Sequence, residues 1–192
     1  MVRTISEGMT LDEFMQRYSD EGPFEIIEGE CILMAPQITR SGRIAGRLFL
    51  ELATYVKSKN AGEVFVEVPF VLTLDAQWVA ESRVPDLMFV QAGRLAQLAA
   101  SDPDWEAKPL ALVPDLVVEI VSPTDRLPDV SKKIARYLLD GVRLVWLVEP
   151  DAQTVTIYTP GSKQLTRLNN EDTLTGSDII PGFEMVVSRL FG

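Results

Sequence analysis

Two short Pro-Asp segments hold the acids on which chemistry could rest. They are Val84-Pro85-Asp86-Leu87-Met88-Phe89-Val90 and Val113-Pro114-Asp115-Leu116-Val117-Val118-Glu119-Ile120-Val121-Ser122-Pro123. Proline is tolerated where a strand opens, because no ladder donor is needed there. Each segment then runs apolar, as a buried strand does. The second places a carboxylate, Glu119, among valines. Side chains alternate along a strand, so Asp115, Val117, Glu119 and Val121 share a face. An ionised glutamate in that setting is costly unless a cation or a metal answers it. Asp86 offers a second carboxylate at the mouth of the other strand, and two acids on neighbouring strands suit a divalent ion. Asp115 lies roughly 13 Å from Glu119 along an extended chain, too far to share one ion directly. It reads first as a strand-edge cap beside proline.

A third group comes from the segment after Glu119. A helix is expected from about Asp129 to Asp140, stopped by Gly141 in the usual C-terminal glycine position. On it Val130, Ile134, Tyr137 and Leu138 gather on one face. Lys133 stands about 60° from Val130, at the edge of that face. Lys132 points away, toward Arg136 and solvent. Lys133 is therefore the lysine able to reach back to the preceding strand. The plainer account is a lysine that extends along the core edge, or one half of a buried ion pair with Glu119. Glu51, on a longer helix, is an auxiliary candidate that reads more simply as solvated, and Tyr137 is another auxiliary.

Composition narrows the chemistry. The chain has no histidine and one cysteine, Cys31. That removes histidine bases and the commonest zinc ligand, and it excludes an internal disulfide. Any metal should be hard and oxygen-bound, Mg²⁺ or Mn²⁺. The 192 residues are 46% hydrophobic, which suits one domain over 1–192 with a core. No apolar run is long enough to cross a bilayer, and Met1-Val2-Arg3-Thr4 lacks the apolar stretch of a signal peptide. A cytoplasmic location and no membrane partner are the expectation. The net charge of −10 counts against nucleic-acid binding without excluding a local basic patch. Arg40, Arg43 and Arg47 follow helical spacing and read as a solvated stripe.

The remaining elements must position these groups. Thr10 to Glu13 forms a capping box opening a helix through Tyr18. Phe24–Ile27 and Cys31–Met34 flank Glu28-Gly29-Glu30 as a hairpin. A helix is expected from about Gly42 to Lys59, with Ile44, Leu48, Leu52 and Tyr55 as its apolar stripe. Val64 to Leu74 reads as one strand whose internal Pro69 suggests an edge position or a bend, and Gly93 to Ala100 as a short helix. Asp129 is expected to cap the helix that carries Lys133. Arg143 to Glu149 is a further buried strand, which makes the second Pro-Asp strand, that helix and this strand a parallel βαβ unit. Gln153–Thr159 and Lys163–Leu168 form an antiparallel pair, and the tail ends in a strand or short helix. The fold class is α/β, with a mixed, curved sheet flanked by helices.

These residues resemble a large bacterial family of restriction-endonuclease-like proteins within the PD-(D/E)xK nuclease superfamily. The likeness runs nearly end to end. It takes in Met9 to Phe14, Phe24 to Glu30, Val84-Pro85-Asp86, Pro114 to Pro123, the Asp129, Lys133, Tyr137 and Gly141-Val142 series, Trp146 to Pro150, Pro181-Gly182-Phe183 and Leu190-Phe191. The resemblance implies a restriction-endonuclease-like core and a role for each site residue. Asp86 would be the acid of the Pro-Asp motif and Glu119 the acid of the (D/E)xK motif. The lysine expected two residues later is Val121 here; in this family it has moved to the next helix, which Lys133 fits. The main-chain carbonyl of Ile120 would be a further metal ligand. The implied activity is Mg²⁺- or Mn²⁺-dependent hydrolysis of phosphodiesters, with DNA as the expected substrate. Cutting both strands of a duplex would favour a homodimer. Two alternatives stay open: a nuclease-fold protein that binds or assembles without cutting, and a phosphodiesterase acting on small nucleotides.

Overall fold

The computed structural model describes residues 8–73, 78–162 and 164–192. The reading of Met1 to Thr4, the end of the expected strand at Leu74 and the start of another at Lys163 lie outside these residues. In chain order the first elements are β1 (Met9–Thr10), α1 (Leu11–Glu21), β2 (Phe24–Ile27), β3 (Glu30–Leu33) and α2 (Thr39–Lys59). Next come β4 (Gly62–Val66), β5 (Phe70–Thr73), β6 (Trp78–Arg83), β7 (Leu87–Gln91) and α3 (Ala92–Ser101). A 3₁₀ turn at Trp105–Ala107 leads to β8 (Leu116–Ile120), α4 (Leu127–Asp140), β9 (Leu144–Glu149) and β10 (Thr154–Tyr158). The chain closes with β11 (Thr166–Leu168), β12 (Thr173–Thr175), β13 (Glu184–Val186) and α5 (Ser188–Phe191).

The chain divides into two compact units. The first comprises Met1–Pro36, Glu67–Pro85 and Gln97–Val113. Its sheet runs β1-β6-β2-β3, with β5 also paired to β6. The capping box forms as expected: Thr10 Oγ1 accepts the Glu13 N–H at 3.2 Å, and the Glu13 carboxylate accepts the Thr10 N–H at 2.9 Å. The helix then runs to Glu21, past the expected Tyr18. The hairpin turns on Glu28 and Gly29, both at positive φ (51° and 78°), which is the backbone a two-residue turn between twisted strands demands. Phe14, Phe24, Ile26, Val71 and Val79 make this unit's core.

The second unit comprises Gln37–Val66, Asp86–Ala96 and Pro114–Gly192, and it holds every candidate site residue. Its sheet is ordered β11-β10-β9-β8-β7-β4. Only β8 and β9 are parallel, in register from Leu116 opposite Leu144 to Ile120 opposite Val148; the other pairs are antiparallel. The βαβ unit is therefore present, with α4 as its crossover. Leu116, Val117 and Val118 are fully buried, and each such side chain contributes roughly 1.5–3 kcal/mol of hydrophobic stabilisation. The strand is anchored firmly enough to carry an acid at Glu119. Ile44, Leu48 and Leu52 of α2 pack into the same core, with Val56 as the next buried position and Tyr55 at its edge.

Several expectations are corrected. The stretch read as one strand from Val64 is two, β4 and β5, broken at Glu67 (φ 51°) to Pro69, and they belong to different sheets. The proline that suggested a bend marks an exit. α2 begins at Thr39, ahead of Gly42, and α4 begins at Leu127 with Pro128 in its first turn, where a missing N–H costs nothing. Asp129 lies in that first turn and does not cap: the cap position is Arg126, which makes no capping bond. β6 and the β12–β13 hairpin were not anticipated. No helix among the described residues is long and apolar enough to cross a membrane.

Candidate active site

Register brings the two acids together. β7 and β8 are antiparallel with Leu87 opposite Val118, so the next step sets Asp86 across from Glu119. Asp86 Oδ2 accepts the main-chain N–H of Ile120 at 2.6 Å. That bond ties the mouth of one Pro-Asp strand to the end of the other. Its Oδ1 accepts from the Gln37 side-chain amide at 2.7 Å, from the residue pair that leads into α2.

Lys133 reaches back from α4 as its helical position suggested. Its Nζ donates to Glu119 Oε2 at 2.9 Å, and the Tyr137 hydroxyl donates to Oε1 at 2.5 Å. The two side chains of the ion pair are 23% and 12% exposed, so the pair is largely screened from water. Lys133 and Tyr137 are one helical turn apart, with the ammonium 5.9 Å from the ring centroid, and the two bracket the carboxylate from the same helix face.

Burial pushes the Asp86 carboxyl above its ordinary value, and the nearby Asp125 charge adds to the rise. The Ile120 N–H, the Lys133 charge and the Gln37 amide oppose it. The ammonium is thus felt by both acids. A carboxylate held up by desolvation is one that gains from a cation.

Other candidates lie elsewhere. Asp115 is fully buried and sits at the opposite end of β8. It accepts the Gln91 N–H at 2.9 Å and pairs with Arg94 at 2.9 Å and Arg143 at 3.4 Å. It fastens β7, α3 and the start of β9 together and has no route to Glu119. Glu51 pairs with Arg189 near the chain's end. Of the expected arginine stripe, Arg40 bonds Asp151 and the Pro150 carbonyl, and Arg47 donates to the Leu190 carbonyl at 3.0 Å. Gln37 and Asp125 were not anticipated. Neither sits in a motif by type or spacing; only the folded chain brings the start of α2 and the loop after β8 to Asp86.

The donor set is oxygen only: two carboxylates and the adjacent main chain. No group of three or more His, Cys, Asp or Glu side chains gathers in metal-binding geometry among the described residues. An all-protein cage is thus not formed. A site of two carboxylates completed by a carbonyl and water is what Mg²⁺ accepts, since it keeps several waters.

The charge is unevenly divided. The second unit's segments carry 14 Lys and Arg against 14 Asp and Glu, and the first unit's 4 against 14. The whole excess of −10 therefore resides in the unit without the site.

With this geometry in view, the comparisons with known proteins follow the same line. Residues 11–188 match the model of the Uma2 family, described as "Putative restriction endonuclease". The chain belongs to that family. It is also similar in structure to a protein from Anabaena variabilis whose crystal structure is titled as that of a putative nuclease belonging to DUF820. The TM-score is 0.75 with 24% identity, covering 95% of this chain and 97% of that one. That likeness fixes the fold as restriction-endonuclease-like: a mixed, curved sheet with flanking helices. No protein among the curated sequences matches the chain.

Proposed function

We propose that the chain is a metal-dependent endonuclease that hydrolyses phosphodiesters, with DNA as substrate and two copies acting where both strands are cut. The observation that carries this reading is the meeting of Asp86, Glu119 and Lys133 at the ends of adjacent strands, with the ammonium 2.9 Å from Glu119. Asp86, Glu119 and the Ile120 carbonyl would hold Mg²⁺ or Mn²⁺. When bound, such an ion orients and acidifies water and neutralises charge on a phosphate.

The protein's own groups do the rest. Gln37 and the Ile120 N–H aim the Asp86 carboxylate, and Tyr137 fixes the rotamer of Glu119. Lys133 presents a positive charge where the phosphoryl oxygens become more negative, a form of preorganised electrostatic stabilisation. With no histidine in the chain, proton movement falls to water and to the leaving oxygen. The unit that bears the site is itself neutral, with 14 Lys and Arg against 14 Asp and Glu.

The test is cleavage of a broad panel of single- and double-stranded DNA with Mg²⁺ or Mn²⁺. Wild type should cut, while Asp86→Asn, Glu119→Gln and Lys133→Ala should fold and fail to cut. A panel left intact by protein shown to hold metal would overturn the reading. One observation favours a second account: both Glu119 oxygens already have protein donors, as a purely structural pair in a non-catalytic binding protein would. That account expects no metal at Asp86 and no cleavage.

A further inference from the structure

The sheet of the first unit has an open edge at β3. That strand pairs with β2 on one side and with no strand on the other among the described residues. Its register fixes which groups face outward. The Met34 N–H donates to the Pro23 carbonyl at 2.9 Å, and ladder bonds alternate along an antiparallel pair, so Ile32 with Glu25 and Glu30 with Ile27 are the bonded pairs. Cys31 and Leu33 lie between them and turn their N–H and C=O groups away from β2. The partner strand agrees: opposite Cys31, the Ile26 N–H donates to the Ser82 hydroxyl and the Ile26 carbonyl accepts from Arg83, both on the β6 side. β3 thus presents two donors and two acceptors to an incoming strand, with Leu33 61% and Ile32 46% exposed on its two faces.

A cavity of about 350 Å³ adjoins this edge. Its wall includes Met9, Gln16, Arg17, Ile26 and Cys31, and the surface they offer is largely apolar. Cys31 and Ile26 stand opposite each other in the ladder, so their side chains share one face of the sheet. A strand laid along β3 would set a side chain of that face beside Cys31, at the cavity. An unpaired edge next to an apolar pocket is how a sheet takes up an extended peptide: main-chain bonds give affinity, and the pocket selects alternate side chains.

Charge decides the occupant. Residues 11–33, which make α1 and the hairpin, hold seven Asp and Glu against Arg17 alone. Six of the seven acids are exposed, Glu25 being the buried one, and Arg17 is already paired with Glu21 at 2.8 Å. A second copy would bring the same acids to the same edge, and like charges opposed across a sheet destabilise it. We infer that this edge docks an extended basic segment of a partner protein, which adds to β3 as a strand, sets an apolar side chain in the cavity and places its Lys or Arg residues against the acids of α1 and the hairpin. Complementary charge of this kind speeds encounter and fixes register. The inference stands apart from the nuclease reading, since every residue it invokes belongs to the first unit.

The probe is a short synthetic peptide that alternates Lys with Val or Leu, blocked at both ends and titrated into ¹⁵N-labelled full-length protein. It should bind saturably, shift the Cys31 and Leu33 amides and slow their hydrogen exchange, while the Ile32 amide, already bonded to β2, keeps its rate. Leu33→Pro removes one outward donor and no bond to β2, a change an edge strand tolerates; it should fold and bind the peptide roughly tenfold more weakly. Glu28→Lys/Glu30→Lys should also weaken binding, as should added salt in wild type. A peptide with Glu in place of Lys should not bind. Unmoved Cys31 and Leu33 amides, equal binding of the two peptides, or protection gained at Ile32 and not at Cys31 and Leu33 would overturn the proposal. So would a free protein that sediments as a dimer and becomes monomeric in Leu33→Pro, because the edge would then belong to a second copy.

Discussion

Replacing Lys133 with methionine separates stability from metal affinity in a way only the proposed site predicts. The ammonium lies 2.9 Å from Glu119, and at an effective dielectric near 20 that contact corresponds to about 6 kcal/mol of attraction. Desolvation of both charges offsets part of it. The cost of removing one partner from such a pair is about 3–5 kcal/mol, because the other charge is left behind. Tyr137 still donates to Glu119 Oε1, which favours the lower figure. For a chain of this length, about 3 kcal/mol lowers Tm by roughly 6–12 °C. That much is expected of any buried pair. The distinguishing result comes from adding Mn²⁺. Lys133 repels a cation at Asp86 and Glu119 alike, since its charge acts on both acids. Lys133→Met should therefore bind Mn²⁺ more tightly than wild type, recover more of its lost Tm on adding the metal, and yet fail to cut. Glu119→Gln/Lys133→Met should melt near wild type, as paired replacements of buried ions often do, and should gain little from Mn²⁺. Calorimetric titration and thermal melts measure all three proteins. A Lys133→Met variant that melts within about 2 °C of wild type without metal, or gains no more than wild type from Mn²⁺, would refute the reasoning.

Four further outcomes are expected. The Asp86 carboxyl titrates above its ordinary 3.8, so the native state holds this proton more tightly than the unfolded chain; stability from this group falls as pH rises through that window, and Mn²⁺ affinity falls as pH drops back through it. Gln37→Leu removes a donor that favours the Asp86 anion and should move that loss of Mn²⁺ affinity to higher pH, read by titration across the acid range. Asp115→Ala leaves the Gln91 N–H without its acceptor and removes the buried partner of Arg94, while Arg143 keeps Asp178; it should cost about 1–3 kcal/mol in chemical denaturation, with Mn²⁺ affinity unchanged. Glu51→Gln breaks an exposed pair with Arg189 and should change stability by under about 1 kcal/mol and cleavage not at all.

The legible parts of the sequence were those where one local force dominates. Strand β8 could be read because three buried residues and an opening proline leave few options, and α4 because its apolar period, Lys133 included, is a property of the helix itself. The parallel pairing of β8 and β9 followed from connection length. What could not be read depends on contacts distant in sequence. Gln37 meets Asp86 across 49 residues, and nothing in a glutamine before a helix marks it. Asp115 looked like a strand-edge cap because its partners, Arg94 and Arg143, come from separate elements. The helix starts were misplaced for a related reason: α2 and α4 both begin without a side-chain cap, so the usual Ser, Thr, Asp or Asn signal was missing.

The misleading number was the net charge. A total of −10 argues against a polyanionic ligand only if the charge is spread over the surface that meets it. Here the chain passes between its two units several times, so the segments of each are interleaved in sequence, and residues 1–36 alone hold 2 Lys and Arg against 8 Asp and Glu. Sorted by unit, the acidic excess belongs to the segments around β1 to β3, β5 and β6, while those around β7, β8 and α4 balance. The field at a binding site is set by charges within about a Debye length, about 8 Å at physiological salt, so the nearby groups decide attraction and the distant ones little. The elements that build the site carry Arg40, Arg126, Lys132 and Lys133 and, beside them, Asp86, Glu119, Asp125 and Asp129. Their local balance, and not the chain's total, is the quantity to weigh when a phosphodiester is the proposed substrate.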